Sequence, residues 1–141
     1  MSEVLTPQTF DFVLANELKR AARSQNFVTL VEMAPRVDEG TEAVHEIARL
    51  VSHELRETDL LATTDTTVSM VLLDTDLHNS QRVIDRVMSR LEHYQFTAPV
   101  DIEVGAACCP THGADIETLR RAATDARAPL PRRDAPSAHA Q

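Results

Sequence analysis

Apolar and polar positions alternate along this chain with two clear periods. From Phe10 the apolar residues fall at helical spacing, through Val13, Leu14, Leu18 and Ala21. Thr6-Pro7 precedes them, a cap residue followed by a proline suited to a first helical turn. The pattern predicts a helix to about Ser24. "FVTLVEM", Phe27 to Met33, is rich in β-branched residues and stops near Pro35, which predicts a strand. A second helical stripe, Val44, Ile47, Ala48, Val51 and Leu55, opens at Gly40-Thr41, with Thr41 as cap.

Leu60 to Thr63 reads as a short strand. Val68 to Leu73 is almost wholly apolar, which suits a central strand covered on both faces. A turn at Thr64 to Thr67 would join the two. Val83, Ile84, Val87 and Leu91 predict a third helix from about Asn79 to Glu92. Val100 to Cys109 predicts another strand. Ile116, Leu119, Ala122, Ala123 and Ala126 predict a fourth helix starting near Ala114. From Pro129 the chain mixes proline, alanine and charge without apolar period, the composition of a disordered tail. The expected order is α-β-α-β-β-α-β-α, with one domain over 1–128 and a tail over 129–141.

Charge and composition narrow the function. A net charge of −8 argues against a nucleic-acid partner, which needs a broad basic face. It leaves room for a nucleotide held by a local arginine cluster. Lys19 is the one lysine; every other basic residue outside the histidines is arginine, whose planar fork grips phosphates and guanine edges. No apolar run reaches the ~18 residues of a membrane span. The adjacent Cys108 and Cys109 cannot join distant elements and read as reduced, which points to the cytoplasm. His45 and His53 are too far apart on their helix for a metal pair, and no cofactor or metal is expected.

Three phrases, in order, resemble the GGDEF domain, the fold of bacterial diguanylate cyclases. They are "LTPQTFDFVLANELKRAARS", "LRETDLLATTDTTVSMVLLDTD" and "IEVGAACCPTHGADIETLRRAATDA". The resemblance covers about Leu5 to Ala128. It implies an α/β fold, an α+β sandwich in which helices flank a central, mainly antiparallel sheet. In its register the family's signature falls on Asp65, Thr66, Thr67, Val68 and Ser69. Both signature glycines are replaced, and so are the acids that hold magnesium, by Thr67 and Val68. Glu32 falls near the metal acid of the family's first strand. Only "MAPRVDE" separates it from Gly40, too short for the family's nucleotide-contacting segment. The resemblance therefore implies no cyclase activity.

The family's second, inhibitory site has letters that remain. Arg56-Glu57-Thr58-Asp59 matches its R-x-x-D at the expected spacing before the signature. An arginine fork suits guanine O6 and N7 or a phosphate, and an aspartate accepts from guanine N–H groups. Arg86 falls where the family adds an arginine from the following helix, with Arg82 one turn earlier. The same letters also suit an ordinary helix end, and Arg82, Arg86 and Arg90 recur as a solvated face does. Two functions follow as alternatives. One is a receptor for cyclic di-GMP through Arg56, Asp59 and Arg86. The other is a ligand-free module that docks on a protein partner or on a second copy.

Overall fold

A computed structural model of the chain describes residues 3–36, 41–73, 77–97 and 100–130. The elements run β1 (Val4–Leu5), α1 (Pro7–Ser24), β2 (Val28–Arg36), α2 (Thr41–Ser52), β3 (Leu60–Thr63), β4 (Val68–Leu73), α3 (Leu77–His93), β5 (Asp101–Cys109), α4 (Ile116–Asp125) and β6 (Ala128–Leu130).

The start of α1 follows its sequence. Thr6 is extended and its hydroxyl accepts from the Thr9 amide at 3.2 Å, with Pro7 in the first turn. The helix ends where Gln25 turns left-handed, at φ 58°, and donates its amide to Ala21 O. Asp115 caps α4 in the same way as Thr6, accepting from Thr118 N at 2.8 Å. That cap sets the helix start at Ile116 rather than Ala114. Thr41 is the first residue of α2, and its expected cap contact lies outside the described residues. Leu55 falls beyond the end of α2 but is still buried.

The six strands form one sheet in the order β1-β3-β4-β2-β5-β6. Every pair is antiparallel except β1 with β3. β4 is interior as its apolar run requires. β2 lies between β4 and β5 and is longer than its sequence suggests. It continues through Pro35, which pairs with Ile102 of β5. β2 and β4 pair only to Met33, so Pro35 sits where one flank of the strand is open and a missing N–H is tolerated. The chain remains paired to Leu130, two residues past the expected domain boundary at 128. The rest of the expected tail lies outside the described residues.

Alternating strand residues feed two cores. Val31, Met33, Met70 and Leu72 pack beneath α2 and α3, against Val44, Ile47, Val51, Val87 and Leu91. Val28, Leu30, Val71 and Ala107 pack beneath α1 and α4, against Phe10, Leu14, Leu18 and Leu119. The result is a three-layer sandwich of helices, sheet and helices.

α4 lies so close to β5 that only glycine fits at position 105. A Cβ there would stand 2.0 Å from Ala123 O and 2.9 Å from Arg127 N. Both are backbone atoms and cannot swing aside. Gly105→Ala is expected to cost about 1–3 kcal/mol through overpacking. Urea unfolding checks this; an unchanged midpoint would mean that α4 shifts freely over β5.

Candidate functional site

The turn between β3 and β4 is built from hydroxyls. Thr64 N donates to Thr67 O at 2.9 Å, which leaves Asp65 and Thr66 as a two-residue tip. The Thr64 hydroxyl accepts from the amides of Thr66 at 3.2 Å and Thr67 at 3.0 Å, and it meets the Thr67 hydroxyl at 2.8 Å. Tight hairpins usually need positive φ at the tip and so use glycine or asparagine. Among the described residues, Gln25 alone of the non-glycines has positive φ, so Asp65 and Thr66 close the turn without it. Val68 is fully buried at the start of β4, packed in the core beneath α2 and α3, and Ser69 pairs with Glu32.

Glu32 is buried on the α4 face of β2. It accepts from Thr124 Oγ1 at 2.9 Å and from the Arg127 guanidinium at 3.2 Å. The buried carboxylate thus has a half-buried cation beside it. Among the described residues no group of three or more His, Cys, Asp or Glu side chains is placed to hold a metal. Cys108 and Cys109 are both free and buried. Consecutive strand residues point to opposite faces, which keeps the two thiols apart. Burial, and then the neighbouring Cys108, raise the Cys109 thiol pKa above its ordinary value.

Arg56 and Asp59 come together in the loop between α2 and β3. Asp59 is buried, and both of its oxygens are engaged. Oδ1 accepts from Arg56 NH2 at 3.2 Å and from Leu73 N at 3.3 Å. Oδ2 accepts from the Arg56 amide at 3.0 Å and from Arg56 Nε at 3.4 Å. Arg56 NH2 also donates to Leu73 O at 2.8 Å. Asp59, expected to accept from a ligand, is thus placed with both oxygens on groups of the protein. Its carboxylate is turned inward and positions Arg56, whose side chain is 61% exposed.

Arg86 stands on the expected helix, α3, and is engaged with Glu54. Its Nε donates to Glu54 Oε1 at 2.7 Å and its NH2 to Glu54 O at 3.0 Å, and Arg90 reaches the same carboxylate at 3.3 Å. It ties α3 to the turn after α2 and does not line the groove at Arg56.

That groove holds about 430 Å3 and is lined by Val13, Glu17, Arg20, Arg56, Thr58, Leu60 and Leu73. Its floor is apolar and its rim carries two guanidiniums and one exposed-side carboxylate. Glu17 and Arg20 were not singled out from the sequence. Their spacing shows that they share the polar side of α1, but not that this side faces Arg56. An arginine held in one direction over an apolar floor suits a flat, anionic ligand with acceptor edges.

No family model and no curated protein matches this sequence. Solved structures do match its fold. A DGC protein from Thermotoga maritima superposes with a TM-score of 0.77 at 16% identity, over 89% of this chain and 97% of that one. The GGDEF domain of YfiN from Pseudomonas aeruginosa gives 0.75 at 16% identity, over 87% of each chain. The diguanylate cyclase SiaD from the same organism, solved in complex with its activator SiaC, gives 0.69 at 19% identity, over 87% of this chain and 55% of SiaD. The chain has the fold of GGDEF domains.

The inward carboxylate makes a stability prediction. Asp59→Ala leaves the Leu73 and Arg56 amides without an acceptor and is expected to cost about 1–3 kcal/mol. Arg56→Lys, at an exposed head, is expected to cost less than about 1 kcal/mol. Urea titrations of both variants check the ranking; equal, small effects would remove Asp59 as the anchor of this loop.

Proposed function

We propose that this chain, which carries the GGDEF-domain fold, is a catalytically silent signalling domain that binds cyclic di-GMP in the groove at Arg56. The observation that carries the reading is the anchoring of Arg56. Asp59 and the Leu73 carbonyl hold the guanidinium in one direction while its head remains exposed over the groove. A fork fixed in this way loses little freedom on binding, so more of each hydrogen bond contributes to affinity. Arg56 is the ligand contact, Asp59 positions it, and Arg86 steadies the neighbouring turn.

Silence is supported at the hairpin and at β2. A divalent cation for cyclase chemistry needs several hard oxygen ligands. The residues here do not fit one. Glu32 faces Arg127, the Thr67 hydroxyl is engaged with Thr64, and Val68 carries no donor atom and is buried. The tip is also closed by side chains and lacks the glycines that would let a nucleotide approach the backbone. We assign the domain to the cytoplasm, where Cys108 and Cys109 stay reduced. Among the described residues no helix is long and apolar enough to cross a membrane.

A protein-docking role is the second reading. Phe12 stands 70% exposed on α1, and the SiaD structure contains a protein activator. The two readings separate in one measurement, calorimetry of the full chain with cyclic di-GMP, with GTP and cyclic di-AMP as controls. Removing one charge-assisted partner costs about 1.5–3 kcal/mol, so Arg56→Ala is expected to weaken binding roughly ten- to hundredfold. Arg56→Lys should fall in the same range, because lysine lacks the planar fork. Asp65→Ala, at the hairpin tip, should change little. No binding at about 100 μM ligand, weaker than any signalling site of this kind, would end the receptor reading in favour of docking. With magnesium or manganese and GTP, synthesis of cyclic di-GMP above a Thr67→Ala control would overturn the silence.

A further inference from the structure

The groove presents a carboxylate, and it is not the one in the R-x-x-D motif. Both Asp59 oxygens are used inside the fold. Glu17, on α1, lines the same groove as Arg56. Its Oε1 takes two donors from Arg20, Nε at 2.9 Å and NH2 at 2.6 Å. Among the described residues no hydrogen bond reaches Oε2. The side chain is 23% exposed, enough for a ligand to touch and too little for water to screen fully.

We propose that Glu17 is the specificity-determining residue of the groove, selecting a purine that carries a donor edge, that is guanine over adenine or hypoxanthine. This rests on the receptor reading and adds to it a residue outside the R-x-x-D motif. Guanine carries acceptors, N7 and O6, on one edge and donors, N1–H and N2–H, on the other. Arg56 matches the acceptors and Glu17 Oε2 matches the donors. Both side chains line the groove, which Val13 and Leu60 also line with apolar surface. Adenine presents an acceptor at N1, which would face the carboxylate without a proton between them. Hypoxanthine keeps N1–H but lacks the amino group. Arg20 holds the carboxylate in place through its two donors.

The rejection of such analogues is strongest when a buried or half-buried polar group of the site is left unpaired. The test compares cyclic di-GMP with its inosine analogue by calorimetry on the full chain. Wild type is expected to prefer cyclic di-GMP by about tenfold or more, the difference one charge-assisted hydrogen bond makes. Glu17→Gln should weaken cyclic di-GMP by a similar factor and close most of the gap to the inosine analogue, because the amide no longer offers a charged acceptor. Arg20→Ala separates contact from support. It breaks the Glu17–Arg20 pair yet should keep the guanine preference even where overall affinity falls. If Arg56→Lys weakens binding while Glu17→Gln changes neither affinity nor preference, Glu17 is not the selector and the receptor reading stands without it. If wild type binds no cyclic di-GMP, both fall together.

Discussion

The burial of β2 from Val28 to Met33, on both faces and along both edges, is the constraint from which the rest of the architecture follows. Its side chains alternate between the two cores, Val28 and Leu30 one way, Val31 and Met33 the other. Each face needs its own helix pair, and each edge needs its own partner strand. The four helices and the flanking β4 and β5 supply these. One buried carboxylate, Glu32, sits in this strand, and its neutralisation brings in the far end of the domain. Arg127 and Thr124, at the end of α4, reach back to Glu32. An unpaired carboxylate here would be costly, so α4 must run close over β5, and the bare Gly105 makes room for it.

The sequence was informative wherever local chemistry and apolar period agreed. Thr6-Pro7 started α1, the 60–63 and 68–73 strands appeared at their true bounds, and the helical stripes were buried or half-buried except Ala126, exposed past the end of α4. β1 and β6 escaped notice because two or three residues are too few to carry a period. Their order comes from neighbouring strands, β3 and β5. The extension of β2 through Pro35 was hidden for a related reason. Proline ends a strand only where its nitrogen would have to donate, and that depends on where β4 stops.

The candidate site was half legible. The letters of R-x-x-D located Arg56 and Asp59, and the structure brings them together. Which of the two faces outward is decided by Leu73, whose amide and carbonyl lie seventeen or fewer residues further on and whose bonding no local pattern reveals. Arg86 had the expected helix position, yet Glu54 claims it. A guanidinium goes to the nearest carboxylate the tertiary fold presents, and helix phase alone does not say which that is. Glu17 and Arg20 were not singled out, because i,i+3 spacing on α1 does not reveal that they line a groove with Arg56.

The buried position of Val68 limits which residues this hairpin can accept. Its side chain has no exposed surface and packs among Met33, Met70 and the helices above. A carboxylate introduced there would enter a dry interior, a change that costs several kcal/mol unless the group stays protonated. An acid at position 67 would break the threonine clasp that shapes the tip. Neither step is tolerable first, and neither is useful alone. Substitution at this hairpin is therefore constrained unequally: the exposed Asp65 and Thr66 can vary, while Thr67 and Val68 resist a carboxylate.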